Sequence, residues 1–263
     1  MKHALAVLVG LVALRIFDPW PVETLRLKYF DALFSLGEPR PSEYLAVHDI
    51  DEDALAKHGQ WPWPRHQLAA LNDELLAQGA SAVVYTVLFP ETDRFGGDQT
   101  FAESMQRLPT FLSAVATTDT TRQEGWHIGV ATLGPVKENT LQYPGILPNV
   151  ALLQESAVGT GVVNSVPEVD GLVRRVPMVI RVGDALYPAL GLDVLRGLAG
   201  DPSYQVKAGE AGIQAVRVPN FNTIETDSVG RVWVDWNTTL TSDVEGRIVF
   251  VGVTAAGISP MVP

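Results

Sequence analysis

The stretch LAVHDIDEDALAKHGQWPWPRHQLAALNDELLAQGASAVVYTVLF, residues 45–89, decides the fold. Its opening, LAVHDI (45–50), is an apolar run of strand length. Pro64 to Gln78 then puts Leu68, Leu71 and Leu75 on one helical face, with Pro64 suited to a first helical position and Gly79 to a C-terminal cap. SAVVYTVLF (81–89) is rich in β-branched residues and reads as an interior strand. Strand, helix, strand is the grammar of a parallel sheet covered by helices, because parallel neighbours need a crossover connection.

Working outward, a second helix is expected from Asp98, an N-capping residue type, through Leu108, with Phe101, Ala102, Met105 and Leu108 facing inward. TFLSAVAT (110–117) is the next strand. Residues 118–149 are rich in Gly, Pro, Thr and polar side chains and read as loops with short strands. Further strands fit 161–165, 176–182, 215–218, 232–236 and 248–253, with a helix over 189–198. The expected class is α/β: a mixed, largely parallel sheet flanked by helices, with an additional antiparallel part later in the chain.

Upstream, Pro39 and Pro41 punctuate the chain and place the start of the compact domain near residue 42, giving a domain over 42–263. Residues 21–41 form an amphipathic connecting helix and a Pro-rich linker, with Leu25, Tyr29, Leu33 and Leu36 at helical spacing. Residues 1–20 hold the uncharged run ALAVLVGLVAL (4–14). That run alone spans about 16 Å as a helix, roughly half of a hydrocarbon core. Extended to Trp20 at the headgroup belt, with Arg15 snorkelling, it reaches about 25 Å and reads as a membrane-anchoring helix over residues 4–20. A secretory signal shares this early layout, but Leu14 to Phe17 is too bulky for a small-x-small cleavage site. A buried N-terminal helix is the third reading.

Composition removes several function classes. Nineteen Lys and Arg against thirty Asp and Glu give a net charge of −11, which repels a phosphate backbone and argues against nucleic acid as a partner. Cysteine is absent, so disulfides, thiolate metal sites and thiol catalysis are excluded together. Hydrophobic residues make up 46% and charged residues 19%, a globular composition. No G-x-S-x-G elbow, Walker-type loop or H-E-x-x-H is present, and no cofactor is implied. His3, His48, His58, His66 and His127 stand without metal spacing and read as structural or surface residues.

Three clusters remain as candidate ligand-binding residues. Asp49 and Asp51 follow the first strand, and Asp93 and Asp98 follow the second; in parallel sheets the carboxyl ends of strands form a ligand crevice, so the two sets either line one pocket, suited to a hard cation or an amine, or cap helices. In GQWPWPR (59–65), prolines hold Trp61 and Trp63 apart beside Arg65. These rings either clamp a small ligand, or plug the sheet edge while Arg65 pairs with a carboxylate such as Asp51. In DGLVRR (170–175), a turn at Asp170 delivers Arg174 and Arg175, for an anion or, as the favoured reading, for salt bridges.

In order, the motifs LAVHDIDEDAL, GQWPWPR, GASAVVYTVLFPETD (79–93), GVVN with Asn164 followed by VDGLVRRVP (169–177), and EGRIVFVGVTAAGIS (245–259) resemble the CHASE type 2 family of extracellular sensors of bacterial receptors. Thr86 and Ser259 depart from it, standing where relatives commonly carry acidic residues. The resemblance implies a non-enzymatic sensor outside the inner membrane, behind an N-terminal transmembrane helix, binding an unknown small molecule or ion. It also implies a cytoplasmic output module of cyclase or histidine-kinase type, in cis or in trans; the amphipathic segment 22–36 is a candidate contact of a homodimer, and the competing readings are a membrane-anchored metal-dependent hydrolase using Asp49 and Asp51 and a protein-interaction module docking through Trp61 and Trp63.

Overall fold

The computed structural model describes residues 2–17, 19–120, 126 and 128–255. His127, Ser259 and the tail of the last motif lie outside the described residues. Two helices come first, α1 (Lys2–Phe17) and α2 (Trp20–Phe34). Strand β1 (Arg40–Ile50), helices α3 (Glu52–His58) and α4 (Arg65–Ala77), and strand β2 (Ala82–Tyr85) build the expected strand, helix, strand unit. Helix α5 (Asp98–Arg107) leads to β3 (Thr110–Thr117), and then come β4 (Gly129–Leu133), α6 (Val136–Asn139), β5 (Leu141–Tyr143), β6 (Gly145–Leu147), α7 (Ala151–Ser156) and β7 (Gly159–Val162). The remainder is β8 (Arg175–Pro177), β9 (Val179–Val182), β10 (Ala185–Pro188), α8 (Leu190–Leu198), β11 (Ser203–Gly209), β12 (Gly212–Arg217), β13 (Thr223–Glu225), β14 (Arg231–Trp233), β15 (Thr238–Thr241) and β16 (Ile248–Val253).

The main sheet runs β15-β1-β16-β2-β3, all parallel, and β3 then pairs in parallel with β7 and antiparallel with β6. The first crossover skips one lane, which β16 later fills between β1 and β2. Strand β2 shows why the interior reading holds: all four residues are buried, and alternation splits them between two faces. Val83 and Tyr85 pack with Leu68 and Leu75 of α4, Phe101 and Met105 of α5 and Leu153 of α7. Ala82 and Val84 pack with Leu190 and Val194 of α8 on the reverse face. The antiparallel part is a second core, where β11 and β12 bury Tyr204, Val206, Ile213 and Val216 against Met178 and Leu192. Its sheet is ordered β13-β12-β11-β4, beside a three-stranded β10-β9-β5 sheet and a β14-β8 ribbon.

Some boundaries move for local reasons. β2 ends at Tyr85 because the following backbone turns to side chains: Ser113 Oγ donates to the Val87 carbonyl at 2.8 Å, and Asn149 Oδ1 accepts the Phe89 N–H at 3.0 Å. Gly97, not Asp98, occupies the N-cap of α5, and Asp98 is the first helical residue. Pro64 sits one place before the first turn of α4, and Gly79 ends the helix at φ +88°.

The helix lengths at the N-terminus do not support the expected membrane-anchoring span. α1 has 16 residues, about 24 Å of helix, and no helix among the described residues is long and apolar enough to cross a membrane. Trp20, expected at the far end of that span, opens α2 instead. The apolar stripe of α2 also faces the other way. Leu25, Tyr29, Leu33 and Leu36 are exposed by 71%, 65%, 51% and 79%, whereas Leu27 is buried. Phe30 packs on Trp233 at 4.4 Å between ring centres, the rings tilted by 35°, so α2 docks by the face opposite the one its sequence advertises.

Candidate functional site

A groove of about 340 Å³ opens beside the carboxyl end of β1, between α3 and α4. β1 contributes His48 and Asp49; α3 contributes Asp53, Ala54, Lys57 and His58; α4 contributes Gln67, Leu71 and Glu74. The floor is apolar, made by Ala54, Trp63, Ala70 and Leu71, and the walls carry the charge. Trp63 is 5% exposed and fixed there by its indole N–H, which donates to the Gly59 carbonyl at 2.8 Å. Trp61 meets it edge-on at 5.9 Å. Burial holds the His48 imidazole below its ordinary pKa, against the opposing pull of Glu74 and Asp49. A neutral imidazole keeps one ring nitrogen as an acceptor.

Of the residues singled out in the sequence, the groove gathers Asp49 and Trp63. Asp51 caps α3, its Oδ1 accepting the Ala54 N–H at 2.9 Å. Arg65 lies away from Asp51: its guanidinium sits 4.4 Å above the Phe89 ring, 3.5 Å from Asp98 Oδ1, and donates to the Glu91 carbonyl at 3.4 Å. Burial lowers the Arg65 pKa. Asp93 closes the same corner by accepting the Arg65 and Gly97 N–H groups, each at 3.0 Å, and Asp98 Oδ2 accepts the Asp93 N–H at 2.8 Å. Burial alone would raise the Asp93 pKa, but the N–H groups of Arg65, Gly97 and Phe95 outweigh it and hold the carboxyl below its usual range. The two acidic sets therefore serve different places, and the second ties the start of α4 to the start of α5. Asn164 extends the pairing of β3 with its amide, accepting the Ala116 N–H at 2.7 Å and donating to the Ala116 carbonyl at 2.9 Å.

The sequence reading missed Lys57, Gln67 and Glu74 and took His48 and His58 as structural. A signal existed: Asp53 and Lys57 are four apart, and Gln67, Leu71 and Glu74 are spaced four and three, so each set shares a helical face. It was hidden because α3 is only 7 residues long and its apolar pattern is weak.

Asp170, Arg174 and Arg175 form a clamp. Arg174 is 3% exposed and holds two carboxylates at once: Nε and Nη2 donate to Asp31 at 2.7 and 2.6 Å, and Nη1 and Nη2 donate to Asp170, both at 2.8 Å. These side-chain bonds hold Asp31 below its usual pKa, place Asp170 at about 2 and raise Arg174. Arg175 grips Glu168 at 2.7 and 2.8 Å and Asp227 at 3.1 Å, and lies 5.1 Å from the Trp233 ring that Phe30 packs against. The salt-bridge reading of this turn is the one observed. Its chemical effect is mechanical: α2, carrying Asp31 and Phe30, is bolted to the β14-β8 ribbon.

With that geometry in place, the family is settled. The model of the CHASE2 domain matches residues 4–263, and the chain belongs to this family. CHASE2 domains are extracellular sensory domains, not catalysts, of signalling receptors with cytoplasmic output modules. No curated protein matches the chain, and no solved structure does.

Proposed function

We propose that this chain is the periplasmic input unit of a bacterial transmembrane receptor, with the groove between α3 and α4 receiving the stimulus and α2 carrying it to a cyclase or histidine-kinase output module. The observation that carries this reading is the Arg174 clamp. A sensor must transmit a small rearrangement to the membrane side, and here the helix leading out of the domain is gripped by one bidentate ion pair, Arg174 to Asp31, with Arg174 itself held by Asp170, and by one aromatic contact, Phe30 to Trp233. In this proposal the joint switches between two states, engaged as observed and released, as coupling between distant sites requires. α1 supports the membrane side of the proposal: Leu5, Val7, Val9 and Leu11 are each about 60% exposed, an apolar helix left uncovered by the other described residues. In this proposal α1 sits in the inner membrane and the outer stripe of α2 contacts a second copy.

The protein-docking alternative through Trp61 and Trp63 loses its surface, since Trp63 is buried and Trp61 packs on the same core. The metal-hydrolase alternative through Asp49 and Asp51 is less favoured, since one oxygen of Asp51 is used in capping α3.

The test uses the intact receptor without added stimulus. Asp31→Asn and Arg174→Met are each expected to shift basal output at least threefold while circular dichroism stays native. Native folding with unaltered basal output in both variants would remove α2 as the conduit.

A further inference from the structure

A second cavity, of about 360 Å³, opens between the two cores and shares no lining residue with the groove between α3 and α4. α7 and β7 supply Gln154, Glu155 and Gly159, Ile128 and Pro202 flank β4 and β11, and α8 supplies Arg196. Arg196 is 9% exposed, and its donors are not all satisfied. Nε donates to Asp193 Oδ1 at 2.5 Å, Nη1 to the Asp201 carbonyl at 2.8 Å and Nη2 to the Val158 carbonyl at 3.3 Å. A guanidinium carries five N–H donors, so these three bonds leave one hydrogen on each terminal nitrogen without an acceptor among the described residues. The indole N–H of Trp126, which lines the same cavity, is buried and also has none. Gly159 keeps the Arg196 side of the cavity open: a methyl there would stand 3.0 Å from Nη2 and collide with Asp193 Oδ2.

All of these unused groups are donors, so the matching ligand brings acceptors. A buried donor without a partner carries a desolvation cost that an acceptor removes. Arg196 already shares its charge with Asp193, and Glu155 lies on the same cavity, so a doubly charged anion such as phosphate matches poorly. A carboxylate carries a single charge and two oxygens with about four acceptor sites, enough for the indole and both terminal nitrogens. The remaining wall, with Ile128, Val158 and Pro202, is apolar. We propose that this cavity binds a small aliphatic carboxylate, its oxygens accepting from Trp126 Nε1 and from the unused hydrogens of Arg196, its hydrocarbon end lying on Ile128, Val158 and Pro202. The volume of about 360 Å³ falls in the usual range of small-molecule sites, roughly 300–1,000 Å³. A ligand there touches the edges of both cores, since Ala157 packs on the first and Ile128 on the second. The site is separate from the proposed input groove and does not rest on it.

Simple organic acids and free amino acids share the carboxylate, and Glu155 on the cavity is a partner for an ammonium group, so the experiment separates the two sources. The purified full-length chain in detergent is titrated calorimetrically with 4-methylpentanoate, with L-leucine, which adds an α-ammonium to the same skeleton, and with the neutral 4-methylpentanamide. Binding of a carboxylate is expected, with the amide at least about tenfold weaker. Trp126→Phe keeps a ring and removes the N–H; it is expected to weaken carboxylate binding about tenfold while circular dichroism stays native. Leucine binding more tightly than 4-methylpentanoate, with the difference lost in Glu155→Gln, supports the proposal and names amino acids as the source; the opposite order supports it and names organic acids. Absence of binding by either carboxylate at about 10 mM overturns the proposal. So does an amide that binds as tightly as the acid, or undiminished affinity in natively folded Trp126→Phe. The comparison of acid with amide uses the unaltered chain, so it decides the matter even where the variant does not fold. None of these outcomes bears on the Arg174 clamp.

Discussion

At the scale of single residues, the fold is pinned by polar side chains that reach far along the chain. Tyr85 donates to Asn72 Oδ1 at 2.8 Å, Asn72 donates to Ser104 at 2.9 Å, and Ser104 donates to the Phe101 carbonyl at 2.7 Å, all of them buried. Tyr85→Phe leaves the Asn72 oxygen unsatisfied and is expected to cost about 1–3 kcal/mol, read from urea midpoints. Arg174→Met breaks a buried pair, a change worth roughly 3–5 kcal/mol in general. The lower end is expected here, because Asp31 is 41% exposed and regains water. The same clamp sets a pH response. Asp31 and Asp170 are depressed by Arg174, with Asp170 at about 2, so their contribution is complete above the unfolded-state value near ~4 and is lost as the pH falls from about 4 toward 2. Urea midpoints should be flat with respect to this clamp from pH 5 to 8, fall below 4, and fall less steeply in Asp170→Asn. The turn itself was legible as a salt-bridge site, because two arginines follow an Asp-Gly; its second partner, Asp31, lies 143 residues away, and no local pattern announces it.

Whole elements show where periodicity informs and where it misleads. α4 and α5 match their expected faces residue by residue, since each packs one stripe on one sheet. α2 carries apolar residues on two faces, and tertiary context decides between them: Phe30 and Asp31 have partners on the ribbon, so Leu27 goes in and Leu25 and Tyr29 go out. Leu27→Ala is therefore expected to cost about 2–5 kcal/mol, whereas Leu25→Glu and Tyr29→Glu stay within about 0.5 kcal/mol in the monomer, measured by thermal unfolding at low protein concentration. A close approach fixes another pair of elements. A methyl at Gly161 of β7 would stand 2.3 Å from Leu190 Cα and 2.5 Å from its nitrogen, at the start of α8. Backbone cannot yield like a side-chain tip, so Gly161→Ala should cost about 1–3 kcal/mol or more and shift α8 off the sheet.

At the scale of the molecule, the parallel half was legible because buried parallel strands are continuous apolar runs with helices between them. Much of the antiparallel half was not: β13 and β15 are short and largely exposed, with too few inward residues to set a period of two. The groove was half legible, through Asp49 and Trp63, because its other walls come from helices whose polar faces look like ordinary solvated surface. One feature of the sheet bears on how the protein is made. β16 occupies the lane between β1 and β2, pairing Leu45 with Ile248 and Ala82 with the same residue. Until residue 248 has been synthesised, the two earlier strands face an empty lane, and closing it joins segments about 200 residues apart, an entropically slow step. The nascent chain is expected to stay open to proteases until its last strand arrives, and chains cut before Ile248 to stay digestible throughout, which pulse proteolysis of stalled and released chains would display.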